Sequence, residues 1–202
     1  MVRQCRALQS RTPLNEIYMK KAVIDIDNTL WHFCDPLHER LKEINPKMPT
    51  PENWIEWDFW EKYCSKEDFI GAIEDIHLNQ DDNRHLPYPE ASNFLATLKE
   101  HDFHIIIASH RTPESIEQTH RWLVRHELIF DEVHLSYDKT ILFEKDCHIV
   151  VDDAPYILEK AVVKGVTAAG LLFPWNKNVS NNGYKLCENL NEVLRYILAC
   201  SE

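Results

Sequence analysis

Two carboxylates stand two residues apart at the end of an apolar run. In AVIDIDNTLW, Ala22 to Trp31, strand periodicity places Asp25 and Asp27 on one face. A buried, ionised carboxylate is costly unless a charge or hydrogen bond compensates it. A cation together with an anionic ligand would compensate both. Asp152 and Asp153 end another apolar run, CHIVVDD, while Ser109 ends HIIIAS and Lys139 opens the helical stretch DKTILF. Together these six groups offer a nucleophile, a proton carrier, hard oxygen ligands and a countercharge, provided the fold gathers them.

The elements that must do so alternate. After the first strand, His104 to Ser109, Asp131 to Ser136, Cys147 to Asp153 and Thr167 to Phe173 are apolar runs of strand length. Between and after them lie helical patterns at about Glu90 to His101, Pro113 to His126, Pro155 to Lys164 and Leu190 to Ala199. Such alternation predicts an α/β fold, a Rossmann-like three-layer arrangement with a parallel sheet and right-handed crossovers. Ligands bind at the carboxyl ends of strands in such sheets, where all six groups converge. Thr112 before Pro113, and Asp153 or Ala154 before Pro155, mark helix starts at the same edge.

Residues 32–86 break the alternation and read as a small helical cap inserted after the first strand, with 1–31 and 87–202 forming the core. Trp54, Trp57, Trp60 and Cys64 stand at helical spacing, as do Phe69, Ile73 and Ile76, with Ser65 and Asp68 as a capping box for the second of these helices. The aromatic stripe either packs insert against core or lines a pocket.

Composition sets the outer bounds. The chain has 202 residues, 44% hydrophobic and 27% charged, enough for one domain with an insert. A net charge of −11 argues against sequence-independent binding to nucleic acid, though not against a small phosphorylated substrate. No apolar run is long enough to cross a bilayer, and the first twenty residues lack the apolar stretch of a secretory signal, so a cytoplasmic location is expected. The six cysteines show no CxxC pair and read as reduced, packed thiols; the eleven histidines show no tight ligand spacing. The oligomeric state is not legible.

DIDNT, IIIASHR, an isolated Lys139 and IVVDDAP, in that order and each after an apolar strand, resemble the haloacid dehalogenase superfamily of phosphotransferases over about Lys21 to Asn176. The resemblance implies Asp25 as nucleophile, Asp27 as acid and base, Ser109 on a phosphoryl oxygen and Lys139 neutralising charge, with Lys145 as the competing lysine. It implies Mg²⁺ held by Asp25, the Asp27 backbone carbonyl and Asp152, with Asp153 assisting or replacing a ligand. Thr29, His110, Arg111, Trp54 and Trp57 are the expected substrate contacts. Members that cleave carbon–halogen bonds lack an acid at the place of Asp27, so a phosphoester is implied.

Within that superfamily, the insert after the first motif, SHRTP and LLFPWN resemble nucleotidases similar to the 5'(3')-deoxyribonucleotidases, where Trp54, Trp57 or Phe59 would stack on a base. Those enzymes carry Gly-Val where this chain has Asn28-Thr29. DIDNTLW with PYPEASNFLATLKE also resembles small magnesium-dependent phosphatases acting on phosphotyrosine or sugar phosphates. A catalytically silent binding module is the alternative of another class.

Overall fold

The computed structural model describes residues 20–80, 83–144, 146–177 and 183–201. Lys145, Cys5 and the segment before the first strand lie outside the described residues.

Six strands form one sheet: β1 (Lys20–Ile24), β2 (Phe103–Ser109), β3 (Glu132–Leu135), β4 (Cys147–Val151), β5 (Thr167–Leu171) and β6 (Lys185–Cys187). Their order is β3-β2-β1-β4-β5-β6, and every neighbouring pair is parallel. The order reverses at β1, which pairs with β2 on one side and β4 on the other, leaving a crevice outside the ends of these strands.

Side chains alternate across the sheet with the period of two that strands impose. Ala22, Ile24, Ile105, Ile107, Ile149 and Val151 belong to a larger core cluster, while Val23, Ala108 and Val150 belong to a smaller one. The larger includes helices α3 (Ala91–Glu100) and α6 (Leu190–Ser201); the smaller includes α5 (Pro155–Val163). The result is the three-layer α/β architecture the alternation predicts. Helix α4 (Ile116–Arg125) follows a 3-10 turn at Pro113–Ser115, because Pro113 supplies a suitable first-turn φ and no donor.

The insert is helical but built differently from expectation. Helix α1 (Cys34–Ile44), absent from the sequence reading, buries Cys34, Leu37 and Leu41 on one face. Helix α2 (Lys66–Leu78) starts at Ser65, whose side chain accepts from the Asp68 N–H at 3.1 Å. The expected helix through Trp54, Trp57, Trp60 and Cys64 does not form. Two 3-10 turns, Pro51–Asn53 and Phe59–Lys62, replace it. Pro49 and Pro51 bring no backbone donor, aromatics are indifferent helix formers, and ring pairing decides the path instead. Trp54 stacks on Phe59 with centroids 4.0 Å apart, and Trp60 on Phe69 at 4.6 Å.

The ends of the insert are stitched together beside β1: the Tyr88 N–H donates to Leu30 O at 2.8 Å, and Trp31 bridges Pro87. Leu37, Trp54 and Ile76 share the larger core cluster with the sheet residues. Among the described residues no helix is long and apolar enough to cross a membrane. On β5, Gly170 leaves no room for a side chain, since an added Cβ would lie 2.0 Å from Asp152 O.

Candidate active site

β1 ends at Ile24, so Asp25 and Asp27 do not share a strand face as the alternation implies. The Asp25 N–H still donates to Val151 O at 2.9 Å, which fixes it beside the end of β4. The chain then turns through Asn28 at φ 57, a left-handed conformation that asparagine tolerates better than most residues. The turn sends the two carboxylates to different partners. Here asparagine meets the conformational need that glycine would meet and adds an amide. Its Nδ2 donates to Asp153 Oδ2 at 3.1 Å, and its Oδ1 accepts from the Cys34 N–H at 3.0 Å.

Asp25 joins a buried carboxylate group. Ligand oxygens of Asp25, Asp152 and Asp153 all lie within 4.8 Å of one another. Lys139, carried on a 3-10 turn capped by Asp138, places Nζ 2.6 Å from Asp25 Oδ1 and 2.6 Å from Asp152 Oδ2, with Ala108 O at 3.3 Å. Burial opposes its charge, but the two carboxylates overcome this and hold the ammonium well above its ordinary pKa. One ammonium cannot balance three carboxylates. Burial, with the Asp152 and Asp27 charges, pushes Asp25 up to about 7 against the pull of Lys139. Burial and then Asp152 and Asp25 raise Asp153 well above the carboxylate range. A buried surplus of hard oxygen donors fits a divalent cation such as Mg²⁺. Asp25, Asp152 and Asp153 are the side chains placed to hold it. The Asp27 carboxylate is not among them.

Asp27 instead meets a cationic clamp. Arg111 Nη2 donates to Asp27 Oδ1 at 2.6 Å and Arg111 Nε to Oδ2 at 3.1 Å, a two-pronged pair. Trp31 Nε1 donates to Oδ1 at 2.9 Å, Ser109 Oγ to Oδ2 at 3.1 Å, and His77 Nε2 lies 3.1 Å from Oδ2. Burial opposes ionisation, but Arg111 and then His77 hold Asp27 well below the usual carboxylate range.

Arg111 therefore sits elsewhere than expected. It is fully buried, its guanidinium spent on Asp27, Gln80 and Thr119, and it does not line the cavity. Thr29 is also buried and is not part of the cavity wall. His110 does line the cavity and stacks on Tyr156; burial lowers its pKa to about 4. His77, Gln80 and Thr119 escaped the sequence reading, which among the histidines gave a role to His110 alone. Their only signal is tertiary.

Above the carboxylates lies a cavity of about 170 Å³. Asp25, Asp27, Ser109 and Asp153 line it together with Trp54, Trp57, Phe59, Trp60 and Trp175. The two tryptophans singled out from the sequence differ: Trp54 is 2% exposed and its Nε1 donates to Pro49 O, whereas Trp57 is 45% exposed and edges onto Tyr156.

No family model matches the chain, and no curated protein matches it. Solved structures do. A haloacid dehalogenase-like hydrolase from Streptococcus pneumoniae superposes with a TM-score of 0.63 at 14% identity, covering 89% of this chain and 98% of that one. A predicted phosphatase from Clostridium acetobutylicum gives 0.62 at 18% identity, covering 90% and 99%. The D,D-heptose 1,7-bisphosphate phosphatase of B. bronchiseptica, solved with magnesium and phosphate, gives 0.53 at 13% identity, covering 90% and 99%. The chain has the haloacid dehalogenase fold.

Proposed function

We propose that the chain is a Mg²⁺-dependent phosphomonoesterase working through an aspartyl-phosphate, and that its substrate is a nucleoside monophosphate. The observation carrying the reading is the set of three buried carboxylates that share the single ammonium of Lys139, two of them, Asp25 and Asp153, lining an aromatic cavity.

Asp25 faces the cavity with Lys139 restraining its Oδ1, so it is oriented for attack on a phosphorus atom above it. A phosphate monoester monoanion brings a proton that Asp27 takes up on binding; as the Asp25–phosphorus bond forms and the ester P–O bond breaks, Asp27 passes that proton to the leaving oxygen. Asp27 then takes a proton from water, which attacks the same phosphorus and breaks the acyl-phosphate bond. The Arg111 clamp keeps Asp27 in the ionised form a base requires. Ser109 is its one neutral and rotatable donor, and a phosphoryl oxygen drawing that hydroxyl away frees an Asp27 lone pair for the leaving group's proton. Bound Mg²⁺, held by Asp25, Asp152 and Asp153, would polarise the phosphoryl group and neutralise its charge.

The substrate class rests on the walls. Stacked indoles and phenyl rings favour a flat ring over a sugar phosphate, and base stacking is worth roughly 1–3 kcal/mol per base. A binding-only role would not require nucleophile, proton carrier, lysine and ligand set all to be in place.

Phosphate release from nucleoside monophosphates, sugar phosphates and phosphotyrosine, each with Mg²⁺ and with EDTA, tests the proposal. Nucleoside monophosphates should give the highest kcat/KM, and EDTA should abolish release. A lead for phosphotyrosine or a sugar phosphate replaces the substrate class; no release from any of them overturns the enzyme.

A further inference from the structure

Three side chains, from the loop after β1, from just beyond α2 and from α4, meet at the Arg111 guanidinium. Nε and Nη2 grip Asp27 from the loop after β1, while Nη1 donates to Gln80 Oε1 at 2.7 Å and to Thr119 Oγ1 of α4 at 3.1 Å. Gln80, two residues beyond α2 and 2% exposed, is pinned by its backbone as well, since Arg121 Nη2 donates to Gln80 O at 3.0 Å. His77, in the last turn of α2, approaches Asp27 Oδ2 directly. The insert thus supplies more than cavity wall: the end of its second helix is tied to the catalytic loop through one buried cation.

We infer that Arg111 is a positioning residue that sets where the Asp27 carboxylate stands, and that Gln80 transmits the seating of the insert to it. The inference rests on the phosphomonoesterase reading, with Asp27 as proton carrier. A guanidinium does this where an ammonium cannot, because its planar fork fixes both carboxylate oxygens and still has Nη1 to be held from behind. Arg111 itself never touches the substrate in this arrangement, since it lies outside the cavity wall.

Arg111→Lys keeps the charge and loses the fork; Gln80→Met keeps the volume and loses the acceptor. Rapid-quench kinetics on a nucleoside monophosphate and on nitrophenyl phosphate, with Asp27→Asn alongside, separate positioning from packing. Misplacing a proton carrier harms a poor leaving group selectively. Arg111→Lys should therefore slow the first turnover of the nucleotide about 100-fold, leave the first turnover of nitrophenyl phosphate little changed, and slow later turnovers of both. The substrate Kd, read from the concentration dependence of the first turnover, should be preserved in each case. Gln80→Met should show the same pattern to a smaller degree, and it decides the matter if Arg111→Lys does not fold. Equal losses on both substrates, or folded variants with unchanged kinetics, overturn the inference. If Asp27→Asn shows the selective pattern and these variants do not, the clamp fails while the enzyme reading stands; if the unaltered protein releases no phosphate, both fail.

Discussion

Lys139 and Asp25, 114 positions apart in the chain, meet at 2.6 Å with both side chains almost completely buried. The same ammonium touches Asp152, so one lysine ties the loops after β1 and β4 together. Lys139→Ala would leave two carboxylates facing each other in a dry site. Breaking a buried pair from one side costs about 3–5 kcal/mol, and a urea melt in EDTA should show a loss of that order. Mg²⁺ should restore part of it. An unchanged midpoint would show that the pair contributes nothing to the fold.

The surplus of negative charge should appear in the pH dependence of the metal-free protein. Asp25, pushed to about 7, and Asp153, also raised, bind more protons folded than unfolded. Their contribution to stability therefore falls as pH rises from the ordinary carboxylate range through 7. Asp27 is shifted the other way, so its contribution is complete above the ordinary carboxylate value and constant in this window. The raised Lys139 likewise changes nothing until the pH passes the ordinary lysine value. His77 and His110, both lowered by burial, contribute the opposite slope, complete once the pH passes the ordinary histidine value of 6.5. In EDTA the melting temperature should therefore be lower at pH 7.5 than at pH 6.5, and stabilisation by Mg²⁺ should be larger at 7.5. A metal-free protein that gains stability over this interval would contradict the charge assignment.

Trp54 and Trp57 should separate cleanly. Trp54→Ala removes a buried ring stacked on Phe59 and should destabilise by about 3–5 kcal/mol, whatever the substrate. Trp57→Ala alters a half-exposed ring at the cavity edge and should leave the melting temperature nearly unchanged while raising KM for a nucleotide more than for nitrophenyl phosphate. Equal effects of Trp57→Ala on the two substrates would remove it from the substrate-binding surface.

Asp27→Asn divides the two chemical steps. Nitrophenolate leaves without protonation, so the variant should release about one equivalent of nitrophenol per site and then stall as phosphoenzyme accumulates. Release from a nucleoside monophosphate should nearly vanish. Asp25→Asn is the control: no burst on either substrate, and in EDTA a fold as stable as the parent or more so, because one of three crowded carboxylates is gone. A burst in Asp25→Asn would place the nucleophile elsewhere.

How far these residues could be read from the sequence follows from how they are held. Asp25, Ser109, Asp152 and Asp153 end apolar runs, and a parallel sheet brings strand ends together, so local pattern sufficed. Lys139 was placed by its position at the start of DKTILF after the third strand, and motif order gave it its role. The clamp was invisible because Arg111, Gln80 and Thr119 share no period and meet only through tertiary packing. Helix α1 was missed although Cys34, Leu37 and Leu41 fall at helical spacing, and β6 is only three residues long. The tryptophan spacing misled for the opposite reason. It matched a helical period, but prolines and ring stacking, not backbone hydrogen bonding, determine that segment.

Gly170 extends the reach of the site to the far side of β4. The Asp152 N–H donates to Ala169 O at 3.1 Å, and the backbones approach so closely at the next residue that even a methyl group would meet the Asp152 carbonyl. This position is thus closed to any side chain although it has none to offer chemistry. Any replacement would enter as a wedge behind the loop that carries Asp152 and Asp153, displacing those carboxylates before it disturbed the rest of the sheet.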